Sequence, residues 1–192
     1  MRRLGRGFYE RNTLEVAPKL LGKLLIRRVD GRELMGRIVE VEAYRGRDDP
    51  ASHASRGITP RNEVMFREGG LAYVYFTYGN HYLFNVTTEP KGRPGAVLVR
   101  ALEPVAGIEY MMENRGTKEL RMLTSGPGRL TKALKIDKRL NGVDLTVSDE
   151  LFIADDGYVV EAVERSPRIG VSGGTRRKWR FYIKDNPYVS RR

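Results

Sequence analysis

The chain has 192 residues, of which 40% are hydrophobic and 31% charged, enough apolar surface for one packed core and too little length for two ordinary domains. Cysteine is absent and histidine occurs only as His53 and His81, which excludes thiol nucleophiles, disulfides and cysteine zinc sites; no calcium-loop spacing of carboxylates occurs, so neither a metal nor another cofactor is expected. The net charge of +11 is uneven: residues 1–28 carry +6 and residues 165–192 carry +8 while the middle is −3, so the two ends, if folded onto one face, would attract a polyanion rather than merely solvate the surface.

The opening Met1–Arg6 lacks the apolar segment of a signal peptide and no stretch is long enough to span a bilayer, so a cytoplasmic protein with no membrane partner is expected. Asn12 or Thr13 can cap a helix carrying Leu14, Ala17, Leu20 and Leu21, with Gly22 as its stop and Pro18 forcing a late start or a kink. Residues 24–29 and 36–44 read as an antiparallel strand pair joined across Asp30-Gly31. A polar, irregular segment follows from Arg45 to Gly57, and Thr59-Pro60 offers the start of a helix through Met65.

Residues 71–78 and 81–87 are β-prone runs around Gly79-Asn80, a hairpin signal. A strand over 96–102 precedes helices over 104–113 and 126–134, the second capped by Ser125; further strands are expected at 151–154, 158–163 and 179–183. The strands come in hairpins instead of alternating with helices, which predicts an α+β fold: one domain over residues 1–192, with an antiparallel sheet flanked by helices.

In the strand 38–44 the period of two puts Val39, Val41 and Ala43 on one side and Glu40, Glu42 and Tyr44 on the other. A carboxylate beside an aromatic ring can activate water next to a stacked planar ligand; the competing reading is a sheet with one wet face on which both glutamates are solvated. Tyr73, Tyr75, Phe76, Tyr78, Tyr82 and Phe84 crowd into the hairpin, which suits base stacking and a groove wedge but equally suits core packing. Strict alternation lets at most one of Tyr75 and Tyr78 face inward. Asn85 interrupts a strand where an amide needs partners and can read a base edge, and Arg100 interrupts another, where it either pairs with a buried acid or reaches outward. His53 is a loop histidine able to donate to a ligand. On these features alone, a nucleic-acid-binding module without catalysis and a carboxylate enzyme acting on sugars both stay open.

Taken together, the blocks Gly36–Tyr44, His53, Thr59–Asn62, Tyr73–Gly79, Asn85, Val97–Pro104, Ser125–Pro127, Arg168–Val171 and Arg180–Tyr182 with Pro187 resemble the alkyladenine (3-methyladenine) DNA glycosylases, in family order along nearly the whole chain. The resemblance implies a compact mixed domain with a curved sheet and a protruding hairpin that enters the DNA minor groove. It implies Glu42 as general base for the attacking water, with Arg100 and the backbone carbonyl of Ile169 helping to hold that water. Tyr44, His53 and Tyr75 would surround the flipped base, Asn85 would discriminate against guanine at the pocket edge, and Tyr78 would intercalate.

The implied enzyme is a monomeric, monofunctional glycosylase of base excision repair without cofactor. It would act on damaged purines in double-stranded DNA (3-methyladenine, 7-methylguanine, ethenoadenine and hypoxanthine) and leave an abasic site. Asn80-His81 stands where vertebrate members carry Met-Tyr, and the short N-terminus suggests a prokaryotic, nucleoid-associated protein.

Overall fold

Hairpin after hairpin, the chain builds one antiparallel sheet; the computed structural model describes residues 1–77 and 79–190. Its strands are β1 (Arg2–Arg3), β2 (Leu24–Val29), β3 (Arg32–Tyr44), β4 (Ala72–Thr77), β5 (His81–Thr87), β6 (Ala96–Ala106), β7 (Leu151–Asp155), β8 (Val163–Ser166) and β9 (Arg180–Ile183). The main path runs β1-β7-β2-β3-β6-β5-β4, and β8 and β9 branch from it. Among the described residues four helices pack around the sheet: α1 (Arg6–Tyr9), α2 (Thr13–Leu20), α3 (Ile108–Arg115) and α4 (Pro127–Ala133). The α+β expectation is met.

The long strand β3 is the spine. Its first half pairs with β2 through a tight turn in which Asp30 and Gly31 both have positive φ (52° and 70°), the backbone that matches the strand twist. Its second half pairs with β9 at Glu40–Glu42, and β6 covers its other edge. One large apolar cluster lies beneath, including Leu25, Ile38, Val39, Val41, Phe84, Val97, Leu102 and Phe181. Each such side chain contributes about 1.5–3 kcal/mol on burial. Asn12 caps α2 by accepting from the Leu14 amide at 2.9 Å, as its sequence predicts, and Pro18 is accommodated within the last turn.

Four expected elements differ. β6 runs on through Pro104, which pairs with Gly36 beside a register shift, so the next helix begins only after Gly107, whose φ of +71° breaks the strand. The expected helix at Thr59–Met65 is a turn followed by a 3-10 segment (Glu63–Phe66), because the Asn62 side chain takes the Thr59 amide at 2.6 Å. Ser125 does not cap α4: its hydroxyl donates to the Arg121 carbonyl at 2.6 Å, and Gly126 precedes Pro127 at the helix start. Strand pairing begins at Val163 and not at Tyr158, since the Tyr158 ring lies over the Arg37 guanidinium at 4.1 Å and Val160 packs over the core.

Candidate active site

Glu40 and Glu42 are both fully buried, so the wet-face reading of β3 is excluded. Burying two carboxylates costs several kcal/mol apiece unless each is paired and hydrogen-bonded. Glu42 accepts the Tyr44 hydroxyl on Oε2 at 2.7 Å and the Ile169 backbone N–H on Oε1 at 2.7 Å, with Arg100 Nη1 3.5 Å from Oε1. Glu40 accepts Arg100 Nε at 3.0 Å and Arg180 Nε at 2.7 Å on one oxygen, and the Ser190 amide at 2.6 Å on the other. Arg100 therefore bridges the two acids.

The backbone supplies the reason for that bridge. Ile38 pairs with Leu102, Glu40 with Ala101 and Val41 with Val99, so a residue is skipped first on β3 and then on β6; the one skipped on β6 is Arg100. An extra residue in a ladder bends the strand and re-aims a side chain. Here the bulge lets a guanidinium from an otherwise apolar run lie between two carboxylates of the neighbouring strand.

The segment after Tyr44 folds back over β3, held by two hooks. Arg168 donates from both Nη atoms to Asp49, at 2.6 and 2.7 Å, and from Nη1 to the Ala43 carbonyl at 2.9 Å; both members of the ion pair are wholly buried. The Arg168 guanidinium also stacks on the Tyr44 ring at 4.7 Å and on Trp179 at 5.1 Å. The second hook is Asn62, whose amide donates to the carbonyls of His53 (2.8 Å) and Gly57 (2.9 Å). These bonds explain how an irregular loop keeps a fixed shape without helix or strand.

Held this way, His53 Nδ1 meets the Tyr73 hydroxyl at 2.8 Å and its ring packs edge-on against Tyr75 at 4.6 Å. Tyr75 is supported from behind by Tyr73, with ring centroids 5.1 Å apart. Desolvation, then the nearby Arg61 guanidinium, holds His53 below the ordinary imidazole range. Its contribution to stability is therefore complete above pH 6.5, the ordinary value, and is lost as pH falls through the lower folded value. A thermal-unfolding series across that window should show this loss in the parent and not in His53→Gln. An equal pH dependence in both would contradict the assignment.

Tyr44 and Tyr73 are both pushed up, chiefly by burial, with the Glu42 carboxylate adding to the effect at Tyr44, so both phenols stay protonated and the Tyr44 hydroxyl donates to Glu42. Period-two alternation places Tyr73, Tyr75, Thr77, His81, Leu83 and Asn85 along one face of the β4–β5 hairpin, facing a cleft of about 1090 Å³. Asn85 is buried at the edge of the cleft, and its Nδ2 donates to the Tyr73 carbonyl at 3.1 Å.

Of the residues singled out in the sequence, Tyr44, His53, Tyr75, Asn85, Arg100 and Ile169 all line this cleft. Glu42 does not line it: its carboxylate lies immediately behind Tyr44, Arg100 and Ile169. Ile169 meets Glu42 through its amide; the expectation concerned its carbonyl. Tyr78, the expected wedge, lies outside the described residues. Sequence reasoning did not anticipate the roles of Glu40, Asp49, Arg168, Arg180 and Ser190. The one available signal was arginines interrupting apolar or aromatic runs, which demand a buried acid somewhere. Among the described residues no cluster of acids and histidines suited to a metal occurs, and no helix is long and apolar enough to cross a membrane.

Residues 7–187 match the family described as methylpurine-DNA glycosylase (MPG). A protein of Prosthecochloris aestuarii is 50% identical over 194 residues, covering 100% of this chain and 92% of its own length. One from Carboxydothermus hydrogenoformans is 52% identical over 190 residues (98% and 99% covered), and one from Methanocella arvoryzae is 47% identical over 193 residues (98% and 96%). All three bear the name "Putative 3-methyladenine DNA glycosylase". Likeness of this extent puts the chain among the DNA glycosylases, repair enzymes that hydrolyse N-glycosyl bonds in DNA. Within that class the chain belongs to the methylpurine-DNA glycosylase family.

Proposed function

We propose that the cleft receives a damaged purine swung out of duplex DNA and that Glu42 activates the water that displaces it. A base stacked in a duplex hides its glycosidic bond, so such an enzyme must extrude the nucleotide and offset the lost stacking. The observation that carries the reading is a fully buried carboxylate fixed by the Tyr44 hydroxyl and the Ile169 amide directly behind a cleft walled by Tyr44, Tyr75 and His53.

A carboxylate has about four acceptor positions. With the Ile169 amide and Arg100 both on Oε1, Oε2 carries only the Tyr44 hydroxyl and keeps a second position for water. Glu42 takes a proton from that water while its charge stabilises the oxocarbenium-like sugar, the chemistry of an inverting glycosidase with a purine as leaving group. Arg100 and the Ile169 carbonyl hold the water. Rings at Tyr44 and Tyr75 favour a cationic alkylated purine by roughly 0.5–2 kcal/mol each.

For neutral lesions such as hypoxanthine the leaving group needs a hydrogen bond. In the tautomer in which Nδ1 accepts from the Tyr73 hydroxyl, His53 carries its proton on Nε2 and supplies that bond. The Asn85 amide at the cleft edge sorts purines by what they present at the 2-position. Tyr78 fills the gap left in the duplex. No lysine is assigned a covalent role, so the product is an abasic site with the strand intact.

The deciding experiment incubates duplexes containing 3-methyladenine, 1,N6-ethenoadenine or hypoxanthine and looks for free base. Release from at least one is expected, with no adduct trapped by borohydride; tight binding without release would leave a binding module instead. Affinity for the duplex should fall steeply with added salt, since phosphate contacts release counterions, and a flat salt dependence would count against the DNA substrate.

A further inference from the structure

We infer that Glu40 is a positioning residue for excision: it holds Arg100 off the Glu42 carboxylate, so that Glu42 keeps an acceptor position for water. The inference rests on Glu42 acting as the base. A guanidinium is a planar fork of donors that pairs with a carboxylate through two parallel bonds whenever it can reach one. Arg100 stops short of that arrangement, with Nη1 3.5 Å from Glu42 while its Nε is spent on Glu40 at 3.0 Å. Released from Glu40, it would close onto Glu42 and occupy the oxygens that water must reach.

Glu40 is anchored for this task from the far end of the chain. Its Oε1 also accepts Arg180 Nε at 2.7 Å and the Ser190 hydroxyl at 3.0 Å, and its Oε2 accepts the Ser190 amide at 2.6 Å. Arg180 is in turn tied to the β8–β9 hairpin, donating to Ser166 Oγ at 2.9 Å and lying over the Tyr182 ring at 4.4 Å. Glu40 is fully buried and does not line the cleft, whereas Arg100 and Ser190 do, so it acts on a bound nucleotide only through them. Two carboxylates and two guanidiniums balance in charge, and removing either acid unbalances the set.

Single-turnover excision over a series of enzyme concentrations separates the maximal rate from the half-saturating concentration. It is run on whichever of the three lesion duplexes the parent processes fastest. Glu40→Gln is expected to lower the maximal rate about a hundredfold, as misplacement of a catalytic group does, with the half-saturating concentration kept within about threefold. In an Arg100→Met background the same substitution should change the rate by less than about threefold, since nothing is left to restrain.

Should thermal unfolding show Glu40→Gln poorly folded, Glu40→Asp retains the buried charge but, one methylene shorter, loosens its hold on Arg100 Nε, and should slow the maximal rate about tenfold. A folded Glu40→Gln, or in its place Glu40→Asp, with the parent's maximal rate would overturn the inference. So would losses from Glu40→Gln and Arg100→Met that simply multiply, or a half-saturating concentration that rises in step with the lost rate. A parent that releases no base defeats the glycosylase reading itself; an active parent with inactive Glu42→Gln and fully active Glu40→Gln defeats the role of Glu40 alone.

Discussion

Glu42→Gln should abolish base release, lowering the single-turnover rate by roughly 10²–10⁴-fold, the usual contribution of a general base, while lesion binding persists. The site tolerates the change sterically. The new amide oxygen can accept the Ile169 N–H and face Arg100 as the carboxylate did, and the new NH₂ can donate to the Tyr44 oxygen once that hydroxyl rotates. What disappears is the proton acceptor and the negative charge beside the developing sugar cation. The check is a pair of measurements, excision rate and duplex affinity. Excision at the parent's rate would remove Glu42 from the mechanism.

Asp49→Ala should damage the fold severely. It leaves the Arg168 guanidinium wholly buried without its two-pronged acceptor, a loss of about 3–5 kcal/mol for a broken buried ion pair. In a chain of this size each kcal/mol moves Tm by roughly 2–4 °C, so the midpoint should fall by about 6–20 °C. Asp49→Ala combined with Arg168→Met should lose less, because the orphaned charge is gone. The pair also fastens the loop carrying His53 to the Ala43 carbonyl and the Tyr44 ring, so the single variant should bind lesion duplex more weakly even where it stays folded. A midpoint within about 2 °C of the parent would refute the claim that this pair secures the loop.

Alternation along 38–44 was enough to group Glu40, Glu42 and Tyr44 on one face, and the β-prone runs around Gly79-Asn80 were enough to find the hairpin. Whether that face is wet or buried was not legible locally. It depends on Arg100, Arg180 and Ser190, which arrive from up to 150 positions along the chain, and on two register shifts that no propensity encodes. The likeness to a family suggested the roles proposed for Arg100, His53 and Asn85, which single residues in strands and loops could not.

Pro104 misled for a related reason. It reads as a helix start, yet a register shift opposite Gly36 lets a strand carry it. Asn62 misled because a side-chain amide competed with the backbone for the same bonds that a helix start would have used. Tyr158 and Val160 have strand character but spend it covering Arg37 and the core.

The most direct measurement is a crystal structure of Glu42→Gln bound to a duplex carrying the preferred lesion. The account predicts the damaged base outside the helix between Tyr44 and Tyr75, with a water within about 3.2 Å of the residue 42 side chain and aimed at the anomeric carbon. A base still stacked in the duplex, or an anomeric carbon with no such water between it and residue 42, would contradict it.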